Sequence, residues 1–298
     1  MNEKRWIAML GAGIMSASLL AGCGGTSATQ GSGSTGQDKG TVTIGYVNWS
    51  EGVAMTNLVH AILEDKMGYH VETTMTDAAP LFASLASGGT DVFLDAWLPV
   101  THKSYMDKYG DRLEDLGINY ENAKIGLVVP SYVDIDSIED LNNAADSFDA
   151  TIVGIDSGAG IMSTTTTAID EYGLNYELMP GSGPTMTAAL KKAIDAENSI
   201  VVTGWTPHWM FARWDLKFLD DPKGVYGAAE HIHTIARKDF STDMPEVAAF
   251  LQNFSMTSDQ LGDLMGTIAD DTSGKDPIDL ARGWMSQNED LVNSWIAS

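Results

Sequence analysis

The stretch TVTIGYVNWSEGVAMTNLVHAILEDKMGYHVETTMTDAAPLFASLASGGTDVFLDAW, residues 41–97, alternates two kinds of pattern. Short runs of β-branched and apolar residues at 41–47, 71–75 and 91–95 read as strands. The segments between them read as helices. Residues 51–67 carry Ala54, Leu58 and Ile62 on one face, and residues 80–87 open on Pro80, whose fixed φ suits a first helical turn. A further helix is predicted over 102–109. Strand and helix taking turns in this way predict a parallel α/β sheet, because parallel strands need a crossover connection and a helix supplies it.

Working outward, the alternation runs a second time. A strand at 125–129 (IGLVV) stops at Pro130, and SIEDL at 137–141 reads as a capped helical turn. Then come a strand at 151–155, a helix at 160–172, a strand at 176–178, a helix at 184–196 and a strand at 200–204. After a last strand at 231–236 the pattern is helical, over 245–254, 258–268 and 277–296. Two α/β blocks of similar size predict two lobes with a cleft between them. We expect lobe 1 at 41–128, completed by the helices of 237–298, and lobe 2 at 129–236. Each lobe is expected to hold a mainly parallel sheet flanked by helices, with two strands crossing between lobes near 127–130 and 231–236 as a hinge.

The amino-terminal end is of another kind. Lys4 and Arg5 precede an apolar run that ends in LLAGC, residues 19–23. Residues 1–22 read as an export signal, and small residues before Cys23 resemble a bacterial lipobox, in which that cysteine becomes the acylated first residue. Residues 23–40 then read as a tether, since GGTSATQGSGSTGQDKG has almost no apolar side chains with which to offset chain entropy. Later apolar runs are too short to cross a bilayer, so attachment to a membrane is expected through the lipid. Cys23 is the only cysteine, which excludes disulfides within the chain.

The formal net charge is −24 at pH 7, which repels nucleic acid and anionic lipid, so neither is expected as a partner. Salt screens surface charge beyond about 8–10 Å, so the acidity says little about a small ligand.

Eight tryptophans are present, and three stand just after expected strands: Trp49 in NWSEG, Trp97 in DAWLP and Trp205 in TGWTPHW. Carboxyl ends of strands in open parallel sheets are where ligands bind, so the three rings can face one cleft. Trp209, Trp214, Trp284 and Trp295 lie in helical surroundings and read as packing residues. Aromatic faces suit a quaternary ammonium, which has no N–H to donate and is drawn to the ring quadrupole while its methyl groups make dispersion contacts. A carboxylate at the ligand's other end has two candidate partners. GIDSGAGI, residues 154–161, runs from a strand through a glycine turn into a helix whose first amides, at Gly160 and Ile161, form an anion site. His102, five residues after Trp97, can donate a hydrogen bond. His208 in TPHW reads as structural.

The segments NWSEG, DAAPLFASLASG, DAWLPVTHKSY, GLVVPSY, GIDSGAGIM and VVTGWTPHWMFARWDLKFLDDPK resemble those of the glycine betaine-binding lipoproteins of ABC transporters, from about residue 41 to residue 295. The resemblance implies a two-lobe, periplasmic-binding-protein-like fold of type II. It implies that Trp49, Trp97 and Trp205 enclose a trimethylammonium group, while His102, Gly160 and Ile161 meet the carboxylate. It further implies a monomer that hands a small zwitterion to membrane permease subunits, needs no cofactor and binds no metal. Glycine betaine, proline betaine, carnitine and choline share the methylated head, and choline lacks the carboxylate.

Three rival readings make different demands on the residues. An enzyme acting on small zwitterions would need a nucleophile paired with a base, or an ordered carboxylate pair. Asp77, Asp95, Asp156 and Glu51 near strand ends read instead as caps and turn residues. A metal receptor built on His102, His208, His231 and His233 would need carboxylates or thiolates at ligand spacing. A sugar receptor would need several polar side chains at the tryptophan loops, which are sparse.

Overall fold

A computed structural model of the chain describes residues 39–297. The expected signal, Cys23 and nearly all of the tether lie outside those residues.

The first block builds β1 (Thr41–Tyr46), α1 (Ser50–Ile62), β2 (His70–Met75), α2 (Ala78–Ser87), β3 (Val92–Leu98) and α3 (Lys103–Tyr109). Alternate residues of β1, Val42 and Ile44, are buried, and α1 turns Ala54, Met55, Leu58, Ala61 and Ile62 into the core. One π-helical turn, Leu63–Met67, continues α1. Gly88 at φ +79° ends α2 in the left-handed conformation that only glycine adopts cheaply, and its amide closes on Leu85.

β4 (Leu113–Pro130) is the axis of the molecule. Its residues Leu113 to Ala123 pair with β9 (Glu230–Arg237), and Lys124 to Val128 pair with β7 (Val201–Thr206). One strand therefore serves two sheets, and the change occurs between Ala123 and Lys124, a few residues earlier than the sequence places it. Glu230, the first residue of β9, stands opposite Ala123 at this junction. In the first sheet the order is β2-β1-β3-β9-β4, and only β9 runs against the other four strands. The second sheet joins β4 to β7, β5 (Thr151–Val153) and β6 (Glu177–Met179), with β8 (Leu216–Phe218) also on β4; here β4 is the strand that opposes the rest.

The second block adds a 3₁₀ segment, Ile138–Phe148, started by the reciprocal Ser137–Asp140 capping box that SIEDL predicts. It also holds α4 (Gly160–Tyr172), α5 (Gly183–Asp195) and the single turn α6 (Met210–Arg213). After β9 come α7 (Phe240–Asp243), α8 (Pro245–Asn253), α9 (Ser258–Ala269), α10 (Pro277–Gln287) and α11 (Glu289–Ile296). α9 and α10 pack on α1, and α8 packs on β4. Buried Asn119 of β4 ties these layers, its side-chain amide donating to the Leu94 carbonyl at 2.7 Å and its backbone carbonyl accepting the Met256 amide at 2.9 Å.

Three expectations are corrected. The helix read over 277–296 is two helices, broken at Asn288, whose φ of −124° and ψ of 35° lie outside the helical region. β4 begins twelve residues before the strand read at 125–129, and β8 and α6 were not foreseen. Pairing shifts near Gly117 and Asn122 break the alternation of inward and outward residues, so the first half of β4 carries no period-two signal.

Candidate functional site

Trp49 sits at the start of α1 directly after β1, Trp97 is the next-to-last residue of β3, and Trp205 is the next-to-last of β7. The first two belong to the β2-β1-β3 side and the third to the other sheet. All three are buried, at 5, 3 and 3% exposure, and all line one cavity. His102, Gly160 and Ile161 line the same cavity, together with Thr101, Ile125, Ile155 and Ala159. The six residues singled out by sequence are thus brought together. Trp284 and Trp295 are buried in the carboxyl-terminal helices, Trp295 edge-on to Phe254, and Trp209 and Trp214 are half-buried against each other.

Each cavity indole is fixed by a carboxylate. Trp97 Nε1 donates to Asp95 at 2.8 Å, Trp49 Nε1 to Asp156 at 3.0 Å, and Trp205 Nε1 to Glu51 at 2.8 Å. The Trp97 pair lies within one strand, two residues apart and so on one face. The other two cross the cleft in opposite senses, because Trp49 and Glu51 follow β1 of the first sheet while Asp156 follows β5 and Trp205 lies on β7 of the second. Tyr105 of α3 adds a third cross-cleft bond, donating to the Gly158 carbonyl at 2.7 Å. The cleft is therefore closed.

Burial governs the charges here. Desolvation pushes Glu51 up to about 8, partly offset by the Trp205 hydrogen bond. Asp95 is raised well above its ordinary value, first by desolvation and then by repulsion from Glu51. Asp156 is raised by desolvation as well. His102 is fully buried, and desolvation pushes it down to about 3, so the ring is neutral. Its Nδ1 accepts the Trp97 amide at 2.9 Å, which leaves the ring proton on Nε2. That N–H is buried and finds no acceptor among the described residues. The ring also stacks on Trp49, with centroids 5.7 Å apart. His208, buried and neutral, sets its ring edge to face against Trp205 at 4.9 Å, a supporting part for the residue read as structural.

The start of α4 forms another wall of the cavity. The first amides of a helix have no intrahelical acceptor, and in α4 these belong to Gly160 and Ile161 at the cavity wall. Gly160 is there for closeness: a Cβ on it would fall inside the van der Waals shell of the Thr101 carbonyl. Thr101 is held in turn by Glu230, which is 2% exposed and accepts the amides of Val100 and Thr101, both at 3.0 Å, and the Thr101 hydroxyl.

Sequence reading missed Glu51, Asp95, Asp156 and Glu230 as parts of the site. The D-x-W spacing of Asp95 and Trp97 on a strand is a usable signal. Trp205 and Glu51 are 154 residues apart, and nothing in either segment announces the pairing.

A family model described as the substrate-binding domain of ABC-type glycine betaine transport systems (OpuAC) matches residues 40–287. The glycine betaine/carnitine transport binding protein GbuC of Listeria monocytogenes is 49% identical over 148 residues. That alignment spans 49% of this chain and 48% of GbuC, about half the length of the curated relative. The closed, glycine betaine-bound structure of lactococcal OpuAC is 39% identical, covering 86% of this chain and 99% of that one with a TM-score of 0.80. The glycine betaine/L-proline-binding protein ProX of Borrelia burgdorferi is 36% identical, covering 86% and 96%, with a TM-score of 0.81.

Proposed function

The chain belongs to the family of substrate-binding domains of ABC-type glycine betaine transport systems, and from that premise we propose that it is the extracytoplasmic receptor of an ABC importer for glycine betaine. The trimethylammonium group rests among the faces of Trp49, Trp97 and Trp205. The carboxylate takes the His102 Nε2–H and the amides of Gly160 and Ile161. One observation carries this reading: a buried N–H donor, a helix start and three indoles, drawn from both sheets, line one cavity.

The magnitudes are consistent. Each indole contributes about 0.5–2 kcal/mol to holding a cation, so three rings fall short of the ~8 kcal/mol of micromolar binding unless the anionic end is held too. Ligand bridging both lobes favours the closed form, and the permease is the partner that reads it. Acylation of Cys23 would anchor the receptor to the cell membrane, with residues 23–40 as tether between anchor and lobe 1; the sheet change at Ala123–Lys124 and the place of β9 beside β3 move the bounds expected from sequence, so lobe 1 is 41–123 with 230–298 and lobe 2 is 124–229.

Calorimetric titration with glycine betaine, proline betaine, carnitine and choline tests the proposal. Betaines that carry a carboxylate should bind at micromolar concentration or below, and choline more weakly. Choline binding more tightly than every betaine would shift the reading to a choline receptor, and no binding of any of the four would end it.

A further inference from the structure

A ring of acid stands behind the aromatic cage. Glu51 comes from the first turn of α1, Asp95 from β3 and Asp156 from the loop before α4, and each accepts one indole N–H. The second oxygen of each, Glu51 Oε1, Asp95 Oδ2 and Asp156 Oδ1, is buried and finds no donor among the described residues. Gly52 brings α1 so near β3 that a Cβ there would lie 2.6 Å from Asp95 Oδ2, which sets Glu51 and Asp95 side by side.

Holding an indole N–H requires only an acceptor, and an amide or hydroxyl oxygen would serve. Carboxylates in all three places exceed that need and carry a penalty, because a buried anion without a counter-charge is strongly disfavoured. The other titratable groups around the cavity do not supply one: His102 and His208 are held neutral by burial, and Tyr105 is raised by burial and by Asp156.

Building on the receptor reading above, we propose that Glu51, Asp95 and Asp156 are specificity-determining residues: a carboxylate ring that makes closure favourable around a permanently cationic head group and unfavourable around an uncharged head group of the same shape. Three indoles select for methyl groups and polarisability, and a tert-butyl group offers nearly the same surface as a trimethylammonium. The ring adds the discrimination that shape cannot. Burial pushes Glu51 up to about 8, and it raises Asp95 and Asp156 as well, the expected response of anions waiting for a cation.

The test compares glycine betaine with its carbon isostere, 3,3-dimethylbutanoate, in the unaltered protein and in Glu51→Gln and Asp95→Asn, each of which keeps an oxygen for its indole. Dissociation constants come from titration, and thermal melts establish that each variant folds. Glu51→Gln should weaken glycine betaine roughly tenfold or more and leave the isostere equal or tighter. Loss of both ligands by one factor, or of neither, overturns the ring and leaves Glu51 as a support for Trp205. Should Glu51→Gln fail to fold, Asp95→Asn decides by the same ratio. An unaltered protein that binds no betaine removes the receptor reading itself; one that binds betaine while the ratio stays fixed removes only the ring.

Discussion

Trp49 and Asp156 lie on opposite sides of the cleft and are joined by a hydrogen bond of 3.0 Å from indole nitrogen to carboxylate. With its counterpart from Trp205 to Glu51, it makes each lobe complete the aromatic wall of the other. Cage and latch are therefore one device; with Glu51 and Asp156 both raised by burial, each bond contributes the ~0.5–1.5 kcal/mol of an ordinary hydrogen bond.

Removing a cage ring separates binding from stability. Trp97→Ala or Trp205→Ala should cost about 0.5–2 kcal/mol of betaine binding, roughly two- to thirtyfold. Trp284→Ala, buried far from the cavity lining, should leave affinity intact while lowering stability by about 3–5 kcal/mol. Titration and thermal melts of the three variants give both quantities, and equal loss of affinity in all three would contradict the assignment.

Gly160→Ala should block closure. Its Cβ meets the Thr101 carbonyl only when the lobes are together, so affinity should drop at least tenfold with little change in melting temperature. Small-angle scattering should show a variant that stays extended at betaine concentrations that compact the unaltered protein.

Glu230→Ala removes the acceptor of two amides, that of Val100 part-buried and that of Thr101 buried, in the loop that ends at His102. Leaving such donors unpaired costs about 1–3 kcal/mol each. Binding of carboxylate ligands should weaken more than binding of choline if His102 meets the anionic end as proposed; titration with both ligands measures the difference.

The pH dependence of the closed, ligand-free protein follows from opposing groups. For His102 and His208, pushed down to about 3, the unfolded chain binds more protons between about pH 3 and 6.5, so stability rises with pH in that window. For Glu51, pushed up to about 8 from 4.5, the folded chain binds more protons between those values, and stability falls as pH rises through them; Asp95 acts in the same direction. The terms offset below pH 6.5 and only the acids remain above it. Melting temperature should therefore decline from pH 6.5 to 8, at up to about 1.4 kcal/mol per pH unit per proton, and saturating glycine betaine should flatten the decline. A melt series at several pH values, with and without ligand, measures this.

The tryptophan positions were legible because strand ends announce themselves: β1, β3 and β7 are short apolar runs, and a large ring just beyond one has few places to go but the cleft. Gly160 and Ile161 were legible for the same reason, as the first turn of a helix after a strand. The partners of the rings were not. An acid in NWSEG or GIDSG satisfies a cap or a turn equally well, and only the folded chain brings Glu51 to Trp205. His102 could be placed at the site, but its proton could not, since the tautomer is set by the Trp97 amide. The opening half of β4 was lost because Gly117 and Asn122, both at positive φ, shift which side chains face inward.

A strand held in common by two sheets also bears on how the molecule can be divided. Cutting between Ala123 and Lys124 would strip each half of a paired neighbour and expose a row of amides and carbonyls, the kind of edge that recruits other chains. Neither half is then expected to be recovered soluble alone, whereas fragments co-expressed and rejoined along β4 should reassemble. The molecule is built as two halves for motion but as one for folding.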